Sequence, residues 1–137
     1  MINFEIAKNS CLKPNSIIQI VCRYYGVNDF DITKSTRKRE VVTIRKYCCY
    51  LITKHCKRVT LLQTSKLLGY NTFGSHATVL FHYKDVIKKI PIYEDLRKEI
   101  ENLEKAIREY VETSLLLEGY TILDAIYNPK ILDRYRK

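Results

Sequence analysis

Apolar residues first fall into a helical rhythm at Ile17, Ile20, Val21 and Tyr24, which line one face of a 3.6-residue repeat. Just ahead, Pro14-Asn15-Ser16-Ile17-Ile18-Gln19 sets a polar residue three positions before a glutamine. That reciprocal pairing satisfies the free N–H groups of a first helical turn. Gly26 follows Tyr25 and supplies a left-handed stop. A loop through Asp31 leads to a second stripe, Val41, Ile44, Cys48, Leu51, Ile52 and His55, again on one helical face.

Thr60-Leu61-Leu62-Gln63 repeats the capping logic and opens a short helix that Gly69 closes. After a turn, Ser75 is placed to cap a further helix, in which Val79, Tyr83, Val86, Ile87 and Ile90 are expected to face inward as far as Pro91. Two short helices joined by a glycine-containing turn and preceded by a longer one have the organisation of a helix-turn-helix. From Ile92 to Glu118 the chain then runs 27 residues without Gly or Pro, with Ile92, Leu96, Ile100, Leu103, Ile107, Tyr110 and Leu117 near a 3.5-residue period. One long helix is expected, with Glu94–Lys98, Glu101–Lys105 and Glu104–Arg108 as i, i+4 pairs on its flanks. It either docks on its own helix-turn-helix, the favoured arrangement, or pairs with a copy of itself through residues 92–118. Past Gly119 a short apolar helix ends at Asn128-Pro129, before a basic terminus. Asn3–Ile6 reads as either a strand or an arm. The pattern is that of an all-α chain of two parts: a helix-turn-helix domain over 1–91, and a long amphipathic helix with a short tail over 92–137.

Charge sharpens this division. The 137 residues carry a formal net charge of +9, but the stretch up to Pro91 holds 16 Lys/Arg against 5 Asp/Glu, and residues 92–137 hold 8 against 10. An excess confined to one segment is the electrostatic footprint of a nucleic-acid binder. Five cysteines, an odd number, and an opening Met-Ile-Asn-Phe-Glu-Ile without basic flank or long apolar run lead us to expect no export signal. We expect a soluble protein of a reducing cytoplasm whose thiols stay free. No apolar run approaches the roughly 20 residues of a membrane span, so no membrane partner is expected.

The exposed face of the helix that opens at Ser75 is expected to carry His76, Ala77, Thr78, His82, Lys84, Lys88 and Lys89, with Asp85 its one acid. A major groove admits one helix, whose first-turn side chains reach base edges while lysines meet phosphates. Upstream, Arg37, Lys38, Arg39, Arg45 and Lys46 form a basic lead-in able to reach a neighbouring groove or the backbone. The candidate DNA-binding set is Arg37, Lys38, Arg39, Arg45, Lys46, Thr60, Ser75, His76, Ala77, Thr78, His82 and Lys84.

Three pieces of the chain, in order, resemble the C-terminal DNA-binding domain of the bacterial replication initiator DnaA. They are Val21-Cys22-Arg23-Tyr24-Tyr25-Gly26-Val27, the lead-in Lys34-Ser-Thr-Arg37-Lys38-Arg39-Glu40 with Arg45 beyond it, and Ser75-His76-Ala77-Thr78-Val79. The resemblance spans about Ile17 to Ile90, half the chain. It implies a DnaA C-terminal or Trp-repressor-like helix-turn-helix bundle that binds double-stranded DNA, with a role in replication initiation or transcription regulation. By the same resemblance Arg37 would enter the minor groove, Arg45 would meet a phosphate, and His76 and Thr78 would touch bases. Ser75 stands where that family has aspartate and Ala77 where it has serine or threonine, and the turn Gly69 to Gly74 is about three residues longer. These departures remove base contacts more than phosphate contacts, so weakened reading of the family's own box is expected.

Other chemistry finds little support. Gly69-Tyr-Asn-Thr-Phe-Gly74 is followed by Ser75 where a phosphate-binding loop needs lysine, so no nucleotide site is expected. Cys48, Cys49, His55, Cys56, His76 and His82 lack zinc-ligand spacing. Cys48 and Cys49 would also point about 100° apart on a helix. We therefore expect no metal, no cofactor and no enzymatic activity. The alternative is an adaptor protein with a vestigial helix-turn-helix and a protein-binding long helix.

Overall fold

The computed structural model describes residues 12–28, 32–33, 39–56, 58–70 and 75–117. Pro14, whose ring fixes φ and whose missing N–H is not needed in a first turn, opens α1 (Pro14–Tyr25). Lys13 flanks it in extended conformation without a side-chain cap. The capping role expected around Asn15 and Ser16 is therefore not realised. Ser16 lies inside the helix, and its hydroxyl shares a 3.1 Å hydrogen bond with that of Tyr110. At the other end Gly26 adopts φ +68°, and Val27 N–H donates to the Cys22 carbonyl at 2.9 Å, satisfying a terminal acceptor as the stop signal requires.

Among the described residues, α2 (Arg39–His55), α3 (Leu61–Leu67), α4 (Ser75–Lys89) and α5 (Glu94–Leu117) follow. The described residues contain no strand, and the fold is all-α. The predicted stripe of α2 is buried at every position, Val41, Ile44, Cys48, Leu51, Ile52 and His55, because this helix is the hub. It packs against α1, α3 and α4. α3 opens with the predicted capping box. Gln63 N–H donates to Thr60 Oγ1 at 3.1 Å, and Thr60 N–H donates to Gln63 Oε1 at 2.9 Å.

One core joins Ile17 and Val21 of α1, Ile44, Leu51 and Ile52 of α2, Leu68, Val79 and Val86 of the α3–α4 unit, and Ile100, Leu103, Ile107 and Val111 of α5. Each such side chain contributes about 1.5–3 kcal/mol when fully removed from water. α5 lies against α1, so the apolar stripe that the sequence offered for self-pairing is used within the chain. Three expected core positions are not in it: Tyr24 of α1 is 43% exposed, Ile87 is 45% exposed, and Ile92, at 63%, sits in the turn before α5 rather than on its stripe.

Glu94 pairs with Lys98 along α5 at 3.4 Å. Glu104 also reaches across to α2, accepting from Lys54 Nζ at 2.9 Å. The readings of residues 3–6, of the tail past Gly119 and of Cys11 lie outside the described residues. Among those described, no helix is long and apolar enough to cross a membrane.

Candidate nucleic-acid interface

One close backbone approach and two hydrogen bonds hold the α3–α4 unit together. Gly69 takes φ +81°, and a Cβ there would sit 2.6 Å from the Thr33 carbonyl oxygen. Only glycine permits both the turn and this approach of the Ile32–Thr33 segment. Tyr70 N–H donates to the Ser65 carbonyl at 2.9 Å, closing the end of α3. Across the turn, Ser75 Oγ donates to Ser65 Oγ at 3.0 Å in a buried contact. Ser75, placed in the candidate set as the first residue of the DNA-facing helix, thus ties α4 to α3. Its hydroxyl faces the interior.

Beyond that tie the first turn of α4 opens outward. His76 and Ala77 are exposed, Thr78 is half-buried, and Lys84 and Lys88 are exposed further along. His82 is half-buried, with its Nδ1 enclosed and unpartnered. Burial, and next the neighbouring Lys46 charge, push its pKa below the ordinary histidine value. Its ring centre stands 6.4 Å from that of Tyr70 and 5.8 Å from that of Phe81.

The basic lead-in divides. Arg37 and Lys38 lie outside the described residues. Arg39 is exposed at the start of α2. Arg45 is only 8% exposed. Its Nε donates to the Ile32 carbonyl at 2.6 Å and its guanidinium carbon stands 5.8 Å from the centre of the Tyr70 ring. The side chain assigned to a phosphate therefore braces the Ile32–Thr33 segment against the turn. Lys46 is paired with Asp85 of α4, which also meets Lys89 at 3.1 Å. The Lys46 ammonium first, and that of Lys89 next, hold the Asp85 carboxyl below its usual range. Thr60 is exposed, but its hydroxyl is engaged as the cap of α3.

Sequence reasoning missed three features of this surface. The pairing of Asp85 with Lys46 joins different helices and leaves no local signal. The tie between Ser65 and Ser75 spans a turn whose geometry the sequence does not fix. Phe81, 65% exposed in mid-helix, was legible as the apolar residue that falls off the inward stripe of α4.

Residues 14–86 match the family described as the bacterial dnaA protein helix-turn-helix. The chain belongs to that family. Over 95 residues, 69% of its length, it is 32% identical to the chromosomal replication initiator protein DnaA of Bacteroides fragilis, and 28% identical to that of Bacteroides thetaiotaomicron. The DnaA of Thermus thermophilus is 30% identical over 96 residues, 70% of the chain. These stretches make up 19%, 19% and 20% of the respective DnaA proteins, so the chain spans about a fifth of the relatives it matches. No solved structure matches it. The region shared with DnaA is the helix-turn-helix, a DNA-binding fold, and α1 to α4 as described here form it.

Proposed function

We propose that the chain binds double-stranded DNA with α4 in the major groove and the segment Lys34–Arg39 directed towards the minor groove, and that it acts at a replication origin or a promoter. The observation that carries this reading is the outward first turn of α4. His76 and Ala77 meet solvent directly beside a Ser75 that locks the helix to α3, so contact residues sit on a rigid element. His76 is assigned to a base edge and Thr78 to a neighbouring one. Lys84, Lys88 and Arg39 are assigned to phosphates, and Arg37 and Lys38 to the arm. In this reading Arg45 and Ser75 position the others. The chain divides into the DNA-binding part and the helix from residue 92 that braces it. Ile100, Leu103 and Ile107 of the α5 stripe are buried in the common core, with α5 against α1, which favours this over an adaptor that would need them free.

Because Ser75 and Ala77 lack the groups their DnaA counterparts bring to bases, duplex DNA is bound with little preference for the DnaA family's own box. Fluorescence anisotropy with duplexes carrying that box or a scrambled sequence, read over a salt series, tests both halves. A binder neutralising about six phosphates loses affinity with a log–log slope of roughly −5. His76→Ala lowers any preference among sequences more than it lowers overall affinity. Absence of salt-dependent binding to any duplex overturns the reading, and strong preference for the box overturns the second half.

A further inference from the structure

The face of α4 that carries Ala77, Lys84 and Lys88 also bears a large side chain that base-edge hydrogen bonds and phosphate contacts leave unexplained. Phe81 is the most exposed large hydrophobic residue among those described. On the helix it follows Ala77 by four residues and precedes Lys84 and Lys88 by three and seven, so the four share a face. The Ala77 methyl is too short to cover the ring. The half-buried His82 ring meets that of Phe81 edge-on, with ring centres 5.8 Å apart.

A lone exposed phenylalanine is ordinary on a protein surface. This one is set between the first-turn residues and two exposed lysines. A partner that covers it must offer apolar contact and, one and two turns on, negative charge. A purely apolar protein surface would bury Lys84 and Lys88 without partners, at a heavy desolvation cost. The major groove offers both features, because each thymine projects a C5-methyl group there between two lines of phosphates.

We infer that Phe81 is a specificity-determining residue that packs on thymine C5-methyl groups, so that bound sites carry thymine beneath the second turn of α4. The inference rests on the DNA-binding reading above and adds the base it selects. The ring supplies the discrimination by shape and dehydration. It therefore replaces none of the hydrogen bonds that Ser75 and Ala77 fail to make, but adds a preference of its own.

Deoxyuridine differs from thymidine only by that methyl group, so it removes the contact and leaves base pairing intact. The test selects duplexes from a random pool with the full chain. The recovered site is then resynthesised with deoxyuridine at one thymine at a time, and wild type, Phe81→Ala and Phe81→Leu are titrated at fixed salt. Deoxyuridine at one or two positions is expected to weaken wild-type binding about fourfold, the factor for one buried methyl-sized group. Phe81→Ala is expected to abolish that difference and Phe81→Leu to retain part of it. A pool without preference, an indifferent wild type, or a methyl effect that survives in Phe81→Ala overturns the inference, with salt-dependent binding still upholding the DNA reading. Loss of all duplex binding overturns both. Self-association of the wild type that Phe81→Ala abolishes, read by sedimentation, assigns the ring to a second copy of the chain and also overturns it.

Discussion

At the scale of single residues, Gly69 carries two constraints at once, a positive φ and the approach of Thr33. Gly69→Ala is expected to lower stability by at least about 2 kcal/mol, since left-handed strain alone costs 1–3 kcal/mol and the backbone has no room to yield. Urea unfolding checks this. Glu104 offers a pH signature. The His55 imidazole, whose Nε2 lies 3.4 Å away, and the Lys54 ammonium lower its carboxyl from 4.5 to about 2. A carboxyl lowered in the folded state stabilises fully above its unfolded value and ceases to do so as pH falls through its folded one. Glu104→Gln is therefore less stable than wild type at neutral pH, and the gap closes between about pH 4.5 and 2 in unfolding midpoints measured across that range. Neither residue would be singled out by composition. Gly69 was readable as a helix stop, whereas the contact with Thr33 depends on a fold that brings together positions 36 apart.

Among elements, legibility followed the range of the interaction. The Thr60–Gln63 box is complete within one turn, and the stripe of α2 is buried at all six predicted positions, because local spacing alone determines both. The start of α1 misled, since Ser16 finds its partner 94 residues away on α5. Ile87 misled because it sits at the edge of a stripe whose centre is Val79 and Val86. The same distinction governs the charge of the DNA-facing surface. Counted along the chain, Lys46 and Lys89 are phosphate contacts. In the fold, Asp85 holds both, as a carboxylate fixed between α2 and α4. Asp85→Asn is expected to release them, raising affinity for scrambled duplex and steepening the salt slope by up to about 1.8, the increment for two added phosphate contacts. An unchanged slope in the anisotropy series would show that the two lysines do not reach the backbone.

For the whole molecule, the division read from charge is not a division of the core. The basic stretch up to Pro91 and the acid-leaning stretch beyond it are packed into one hydrophobic cluster by Ile100, Leu103, Ile107 and Val111. A chain cut after Pro91 would leave the α1 side of that cluster in water. It is expected to lose its cooperative thermal transition, read by circular dichroism at 222 nm, where a dispensable α5 would leave the transition in place. The same cluster encloses sulfur. Cys22, Cys48, Cys49 and Cys56 are all buried, and burial raises the thiol of Cys48 and pushes that of Cys49 up to about 12. Thiolate, the reactive form, is thus suppressed where reagents also cannot enter. Modification by a chromogenic disulfide reagent at these four positions should advance only as fast as the native state opens, making the interior sulfurs a native clock for how often this bundle comes apart.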